Sequence, residues 1–445
     1  MDGERYLAAI EISSSKIIGA VGKVGTDGLL HVIAVEQERV VECVKYGIIQ
    51  NVEDTHTRIA HILNKLEMRP TVAPRKITSV YVGIAGRSLS NITHELTHNN
   101  SEEIEITDTL IKSLKAEAMQ ADIDSSLEIV DAVPNTYYVN RSETKSPIGM
   151  IGTNIHTIFD LIVCRPTIKR NITRVLHDKL NLGISGYVVT PIATANLILS
   201  LEEKRLGCML VDMGAETTTV SIYKNACMVY LATIPMGSRN ITRDITSLNV
   251  LEERAEEIKI TTGNALGSDK TNSLNINGIK YSELSKIVEW RSEEIITNII
   301  QQVSYAGLSL EQLPGGIIVI GGGFNLNGMV QLLERQSNMP VRRGSLPAGI
   351  TLEDPKAPKF ESIEVISIMN AGLNINNESC LTTPVSLPFP EATNTDVKVN
   401  EETDGEELEK SDEQLYKKPS FMKKLRTNIE KMFVTSDDED DTEFN

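Results

Sequence analysis

Two stretches, about 200 residues apart, end an apolar run with a carboxylate and pass at once into a turn of small residues. They are Ile10-Glu11-Ile12-Ser13-Ser14-Ser15-Lys16 and Val211-Asp212-Met213-Gly214-Ala215-Glu216-Thr217, the second continuing into Thr218. Small residues let backbone N–H groups approach phosphate oxygens, hydroxyls add donors, and a carboxylate at a strand end can hold Mg2+ or its waters. Glu11, Ser13, Ser14, Lys16, Asp212, Gly214, Thr217 and Thr218 are therefore candidate phosphate-binding residues, with Asp212 the candidate for Mg2+ or its waters. A third stretch runs apolar from Gly315 to Ile320 into Gly321-Gly322-Gly323, where a missing Cβ permits a ring or phosphate to lie against the backbone. Each feature alone is equally an ordinary hairpin turn or glycine bend. Their order and spacing together point to a phosphate-bearing ligand.

One further pattern invites a different chemistry. His94-Glu95-Leu96-Thr97-His98 has the H-E-x-x-H spacing of a helical zinc site. Its flanks, Leu89 to Thr93 and Asn99 to Ser101, favour strand and turn, so the two imidazoles have the wrong spacing to chelate and zinc is not expected. Cys43, Cys164, Cys208, Cys227 and Cys380 are scattered without a C-x-x-C pair and suit a reducing cytosol.

The elements that must carry these turns repeat. Tyr6 to Ile12, Lys16 to Val24 and Leu29 to Val35 read as a strand meander, followed by a helix in which Ile59, Ile62, Leu63 and Leu66 share a face. Leu206 to Asp212, Thr217 to Tyr223 and Ala226 to Leu231 read the same way, with helices over about 251–262 and 283–306. A duplicated α/β unit with a ligand cleft between the copies is expected. We place the first lobe at 1–83 plus 164–200 and the second at 201–379. Residues 84–163 read as an inserted small domain of short β runs around a helix from Thr107 to Gln120.

The net charge of -17 is concentrated near the end of the chain. A polar, acidic stretch, 380–416, reads as a disordered linker, and 435–445 as an acidic tail. Between them Lys417, Lys418, Lys423, Lys424, Arg426 and Lys431 face only Glu430. Within 417–434, Phe421, Met422, Leu425, Ile429, Met432 and Phe433 fall on one helical stripe beginning at Pro419, the signature of a helix lying in a membrane interface. Docking of that helix on another protein is the other reading. Basic residues near an anionic leaflet contribute about 1 kcal/mol each, so one copy binds modestly and a polymer firmly. No leader and no run of roughly 18 apolar residues is present, so neither export nor membrane insertion is expected.

Strand-carboxylate-turn twice, then strand and triple glycine, resembles the actin, hexokinase and DnaK-type chaperone superfamily over nearly the whole folded length. In that superfamily a Glu-x-x-Lys pair meets the nucleoside, and Ala255-Glu256-Glu257-Ile258-Lys259 looks like it, with a surface ion pair as the alternative. With the inserted domain, the acidic linker and the terminal helix, the chain is similar to the FtsA family of bacterial cell-division proteins over about 5–376 and 417–434. Further stretches that carry the likeness are Pro147-Ile148-Gly149 and Glu202 to Gly207.

The resemblance implies an α/β fold of duplicated ribonuclease-H-like lobes of the actin-like ATPase type. It also implies ATP with Mg2+ in the cleft, with Glu256, Lys259 and Gly237 at the ligand and Asp244 in the cleft-lining region. It implies an FtsZ C-terminal tail docked on the second lobe near Arg291 in Glu289-Trp290-Arg291, self-association into filaments, and later division proteins met through the inserted domain. No nucleic acid is implied. The location implied is the cytoplasmic face of the cell membrane at the division site, held by anionic lipid.

The chain departs from the family at Ser13, Ala215-Glu216 and Thr219, where relatives carry glycine, glycines and an acid. Glu216 is expected to repel phosphate unless Mg2+ intervenes or its side chain turns outward, and the loss of the acid at Thr219 implies slow ATP turnover or none. A pilus-assembly protein of the same fold, or a kinase or phosphatase on it, are the competing readings.

Overall fold

The computed structural model describes residues 4–267, 275–276 and 278–383. The expected membrane helix over 417–434, the acidic tail and all but the start of the linker lie outside the described residues.

The chain opens with an antiparallel meander of β1 (Tyr6–Ile12), β2 (Lys16–Val24) and β3 (Leu30–Arg39). A small hairpin, β4 (Val44–Lys45) and β5 (Ile48–Ile49), leads to α1 (Val52–Glu67). The Asn51 side chain accepts the Asp54 N–H at the start of α1, where Glu53 and Asp54 also suit the helix's positive end. Ile59, Ile62 and Leu66 are the buried face of α1, packed on β2 and β3. Next come β6 (Lys76–Ile77) and β7 (Ser79–Ile84). β1 is buried throughout because it is central, with β2 on one edge and the parallel β7 on the other.

The inserted domain is built from β8 (Ser90–Glu105), α2 (Asp108–Ala118), β9 (Glu128–Val139), the short β10 (Ser142–Thr144) and β11 (Ile151–Cys164). Its strands are longer than the short runs expected. The polar string Ser90 to Glu105 conceals a strand because one face is exposed, so apolar residues occur only at intervals. His94 and His98 lie on β8, opposite Phe159 and Ile155, and among the described residues no cluster could hold a metal by itself.

The first lobe resumes with α3 (Pro166–Thr173), β12 (Gly183–Val189) and α4 (Thr190–Ile198). After α5 (Leu201–Leu206) the second meander comes as β13 (Cys208–Met213), β14 (Thr218–Lys224) and β15 (Cys227–Ile234). Then come α6 (Ser238–Ile245), α7 (Glu252–Thr262), a hairpin of β16 (Asn275–Ile276) and β17 (Ile279–Lys280), and α8 (Tyr281–Tyr305). The second lobe closes with β18 (Ile317–Ile320), α9 (Met329–Ser337) and β19 (Val341–Arg343). The order β3-β2-β1-β7-β12 in one lobe is matched by β15-β14-β13-β18-β19 in the other, so the copies share a topology.

The second lobe does not extend to 379 as expected, because the elements beyond β19 return to the first. β20 (Thr351–Leu352) pairs with β3, α10 (Ile363–Gly372) packs on β1, β7, β12 and α4, and β21 (Leu381–Thr382) pairs with β6. Apolar residues cover nearly all of α10, with Ile363, Val365, Ile366, Ile368 and Met369 buried. It therefore needs cover on two sides, which the first sheet and α4 supply. The inserted domain, although it interrupts the first lobe in sequence, joins the second lobe's sheet through Ser90 of β8 opposite Ala232 of β15.

Candidate functional site

The two carboxylate turns are built alike. The Ser13 N–H donates to the Lys16 carbonyl (3.0 Å) in one, and the Gly214 N–H to the Thr217 carbonyl (2.8 Å) in the other. Both face a cavity of about 810 Å3 between the lobes, which Gly321, Gly322 and Gly323 also line. Gly321 has φ +88°, and a Cβ there would meet Asp212 Oδ1 at 2.5 Å, so the glycine is required by backbone conformation and by its closeness to the carboxylate. Ser13 turns its hydroxyl back to the Lys16 carbonyl (2.8 Å), whereas Ser14 Oγ accepts the Gly47 N–H (3.0 Å) and keeps its own proton to offer. Lys16 Nζ is paired with Glu361 (3.1 Å).

The cavity floor is acidic. Burial, and then the Glu364 carboxylate beside them, hold both Glu11 and Asp212 well above the usual carboxylate range. Glu11 Oε2 is buried with no hydrogen-bond partner. An orphaned oxygen among raised carboxylates fits a cation, and since no described cluster chelates a metal directly, Mg2+ would be held by phosphates and its own waters, with Glu11 and Asp212 as their acceptors.

Glu216 does not turn outward. Its side chain is 1% exposed and accepts from Arg239 Nη1 (3.0 Å), Arg243 Nη2 (2.9 Å) and the Tyr46 N–H (2.8 Å). Its charge is thus offset by two guanidinium groups of α6.

Comparison with known proteins places this geometry in a family. Residues 209–364 match the family model described as "Cell division protein FtsA", and residues 86–163 the one described as "SHS2 domain inserted in FTSA". The chain is 30% identical over 338 residues to the cell division protein FtsA of Porphyromonas gingivalis, an alignment covering 74% of this chain and 70% of that one. It belongs to the FtsA family. The FtsA of Neisseria meningitidis is 26% identical over 417 residues, covering 87% of this chain and 93% of its own. Among solved structures, a PilM-PilN type IV pilus biogenesis complex superposes with a TM-score of 0.59 at 14% identity, covering 82% of this chain and 98% of that one, a likeness of fold. The chain is therefore a cell-division protein of actin-like fold.

Within this FtsA-family fold the candidate residues separate into those that line the cavity and those that support it. Glu11, Ser13, Ser14, Lys16, Asp212, Gly214, Thr217, Glu256 and Gly321 to Gly323 line it. Thr218 does not, since its hydroxyl donates to the Met236 carbonyl (2.8 Å) inside the second lobe. Gly237 starts α6 behind the second turn, where a Cβ would meet the Ala215 carbonyl oxygen at 2.6 Å. Lys259 is buried and spends its donors on the Ser238 carbonyl (3.1 Å), Thr242 (2.9 Å) and Glu256 (2.8 Å), locking α7 to α6. Burial lowers the pKa of Lys259, partly offset by Glu256. Burial alone would raise the Glu256 pKa, but Lys259 and Thr242 outweigh it and hold this carboxylate below its usual value.

Asp244 lies outside the cavity, against the expectation that its region lines the cleft. It pairs with Arg291, whose Nη2 donates to Asp244 Oδ1 (3.1 Å), in a separate pocket with Ile287 and Trp290 between α6 and α8. Glu361, Glu364, Arg239 and Arg243 also line the main cavity. None of the four was legible in the sequence, because charged residues on helices and loops read as solvated faces.

Proposed function

We propose that the chain binds ATP with Mg2+ between its lobes, assembles into filaments, and ties FtsZ polymers to anionic lipid on the cytoplasmic face of the cell membrane at the division site. The observation that carries this reading is the convergence of two matching carboxylate turns and the triple glycine on one inter-lobe cavity, in a chain of the FtsA family. Glu256 and Ile260, at the cavity wall, suit the nucleoside. Thr219 in the cavity pairs with Thr233 (3.2 Å) and offers water no base, which favours slow turnover or none.

Trp290 is 64% exposed beside Arg291 on α8, and this exposed ring, in a pocket with Ile287 and paired charges, supports a short FtsZ tail docking there, while the inserted domain is left to later division proteins. No helix among the described residues is long and apolar enough to cross a membrane, so attachment is assigned to residues 417–434. Sedimentation with anionic vesicles, with and without FtsZ, tests the whole reading. Full-length protein should carry FtsZ into the vesicle pellet and a version ending at Tyr416 should not. Equal recruitment by both would overturn it.

A further inference from the structure

Arg239 reaches across the cleft. While Nη1 holds Glu216 of the second lobe, Nη2 donates to the Ser14 carbonyl of the first (3.2 Å). Its guanidinium therefore bridges the two phosphate-facing turns, on the path that a nucleotide's oxygen chain must take between them. Arg243, on the same helix face one turn on, shares Glu216. Two guanidinium groups and a backbone N–H converging on one buried carboxylate are the donor set that recognises phosphate, and Arg is suited to it by its planar fork.

The start of α6 cannot supply this charge instead. The first N–H groups of α6, on Ser238 and Arg239, are already taken by the carbonyls of Gly214 (3.0 Å) and Ala215 (2.7 Å). Lys16 is shared with Glu361, and Glu11, Asp212, Glu256 and Glu364 make the cavity wall acidic. A polyphosphate entering such a wall needs side-chain cations at its far end.

We propose that Arg239, assisted by Arg243, is the ligand of the terminal phosphate of a nucleoside triphosphate, and that Glu216 is a built-in anion holding both arginines in place until that phosphate competes for them. The inference rests on the nucleotide reading above and deepens it: Arg239 is what tells a triphosphate from a diphosphate. Because Glu216 also holds the Tyr46 N–H of the first lobe (2.8 Å), the exchange would alter a tie between the lobes only when the third phosphate arrives.

The test is calorimetric binding of Mg2+-ADP and of a non-hydrolysable Mg2+-ATP analogue to full-length protein, with Arg239→Gln, Arg243→Gln and Glu216→Gln beside it and thermal melts as a control for folding. Charge-assisted hydrogen bonds of this kind correspond to roughly tenfold or more in affinity. The unaltered protein should prefer the triphosphate by about that factor, Arg239→Gln should erase the preference while leaving ADP binding in place, and Glu216→Gln should strengthen triphosphate binding selectively. If both ligands bind the unaltered protein and the ratio of their affinities is the same in every variant that melts cooperatively, the arginines are a structural tie and this proposal fails alone. If neither ligand binds the unaltered protein, the nucleotide reading falls and takes this proposal with it.

Discussion

Glu11 and Asp212 carry opposite lessons about what a residue's place in a chain reveals. That each ends a buried strand before a small-residue turn was evident from sequence; that burial and Glu364 keep both protonated above their ordinary range was not, because Glu364 comes from α10, which the sequence assigns to the other lobe. An acid whose native pKa is raised holds its proton after the unfolded chain has released its own, so stability is full below the ordinary carboxylate range and falls as pH rises toward the native value. The melting temperature of nucleotide-free protein should therefore decline as pH rises above the ordinary carboxylate range. Glu11→Gln should make that decline shallower, leaving the part due to Asp212 and to buried Asp160; a parallel curve would show that Glu11 ionises normally. Gly237 tests space rather than conformation. Its φ of -161° suits any residue, but a Cβ would press on the backbone of Ala215 and Gly214 within 2.7 Å. Gly237→Ala should displace the second turn, costing about 1–3 kcal/mol in denaturant unfolding and weakening ADP and ATP alike.

Among elements, those with a buried, periodic face were legible and those with a wet face were not. β1 and β2 could be bounded to the residue because their apolar runs end in turn chemistry. β8 reads only as short strand runs because alternating polar side chains hide its full length, and α10 could not be given to its lobe because an all-apolar helix does not say which sheet it covers. The short α5 depends on its first residue. The Ser200 hydroxyl accepts the Glu203 N–H while the Glu203 carboxylate accepts the Ser200 N–H, and Glu203 also grips Arg342 of β19 through two hydrogen bonds (2.7 and 2.8 Å). Ser200→Ala should lower stability by about 1 kcal/mol in urea unfolding without changing nucleotide affinity. No change would mean that Arg342 alone orders the helix.

At the scale of the molecule, the duplicated lobes and inserted domain were readable from repeated patterns, and the sheet shared by the inserted domain and the second lobe was not. One backbone pair, Ser90 and Ala232, joins the two, helped by the Leu231 N–H donating to Asn91 Oδ1 (2.9 Å), Asn135 Nδ2 to the Met228 carbonyl (3.4 Å) and the Cys227 thiol to the Asn135 carbonyl (3.0 Å), and no periodicity announces so few contacts. The proposed lipid contact of Phe421, Met422, Leu425, Ile429, Met432 and Phe433 belongs to this scale, since in the proposed filament its strength would depend on how many copies act together. Leu425→Glu should abolish co-sedimentation with anionic vesicles while leaving the melting temperature of the body unchanged; retained binding would assign lipid contact elsewhere.

The pairing of β21 with β6 bears on how such a body would take load. The Cys380 N–H donates to the Tyr6 carbonyl (2.7 Å), and the N–H groups of Thr78 and Ser79 donate to the Cys380 carbonyl (2.9 and 3.3 Å). Traction on the chain beyond residue 383 enters through these bonds beside the beginning of β1, all within one lobe. If the terminus is anchored as proposed, tension would enter at this sheet margin, at the opposite end of β1 from Glu11 and the cavity, so the crevice would be loaded only indirectly.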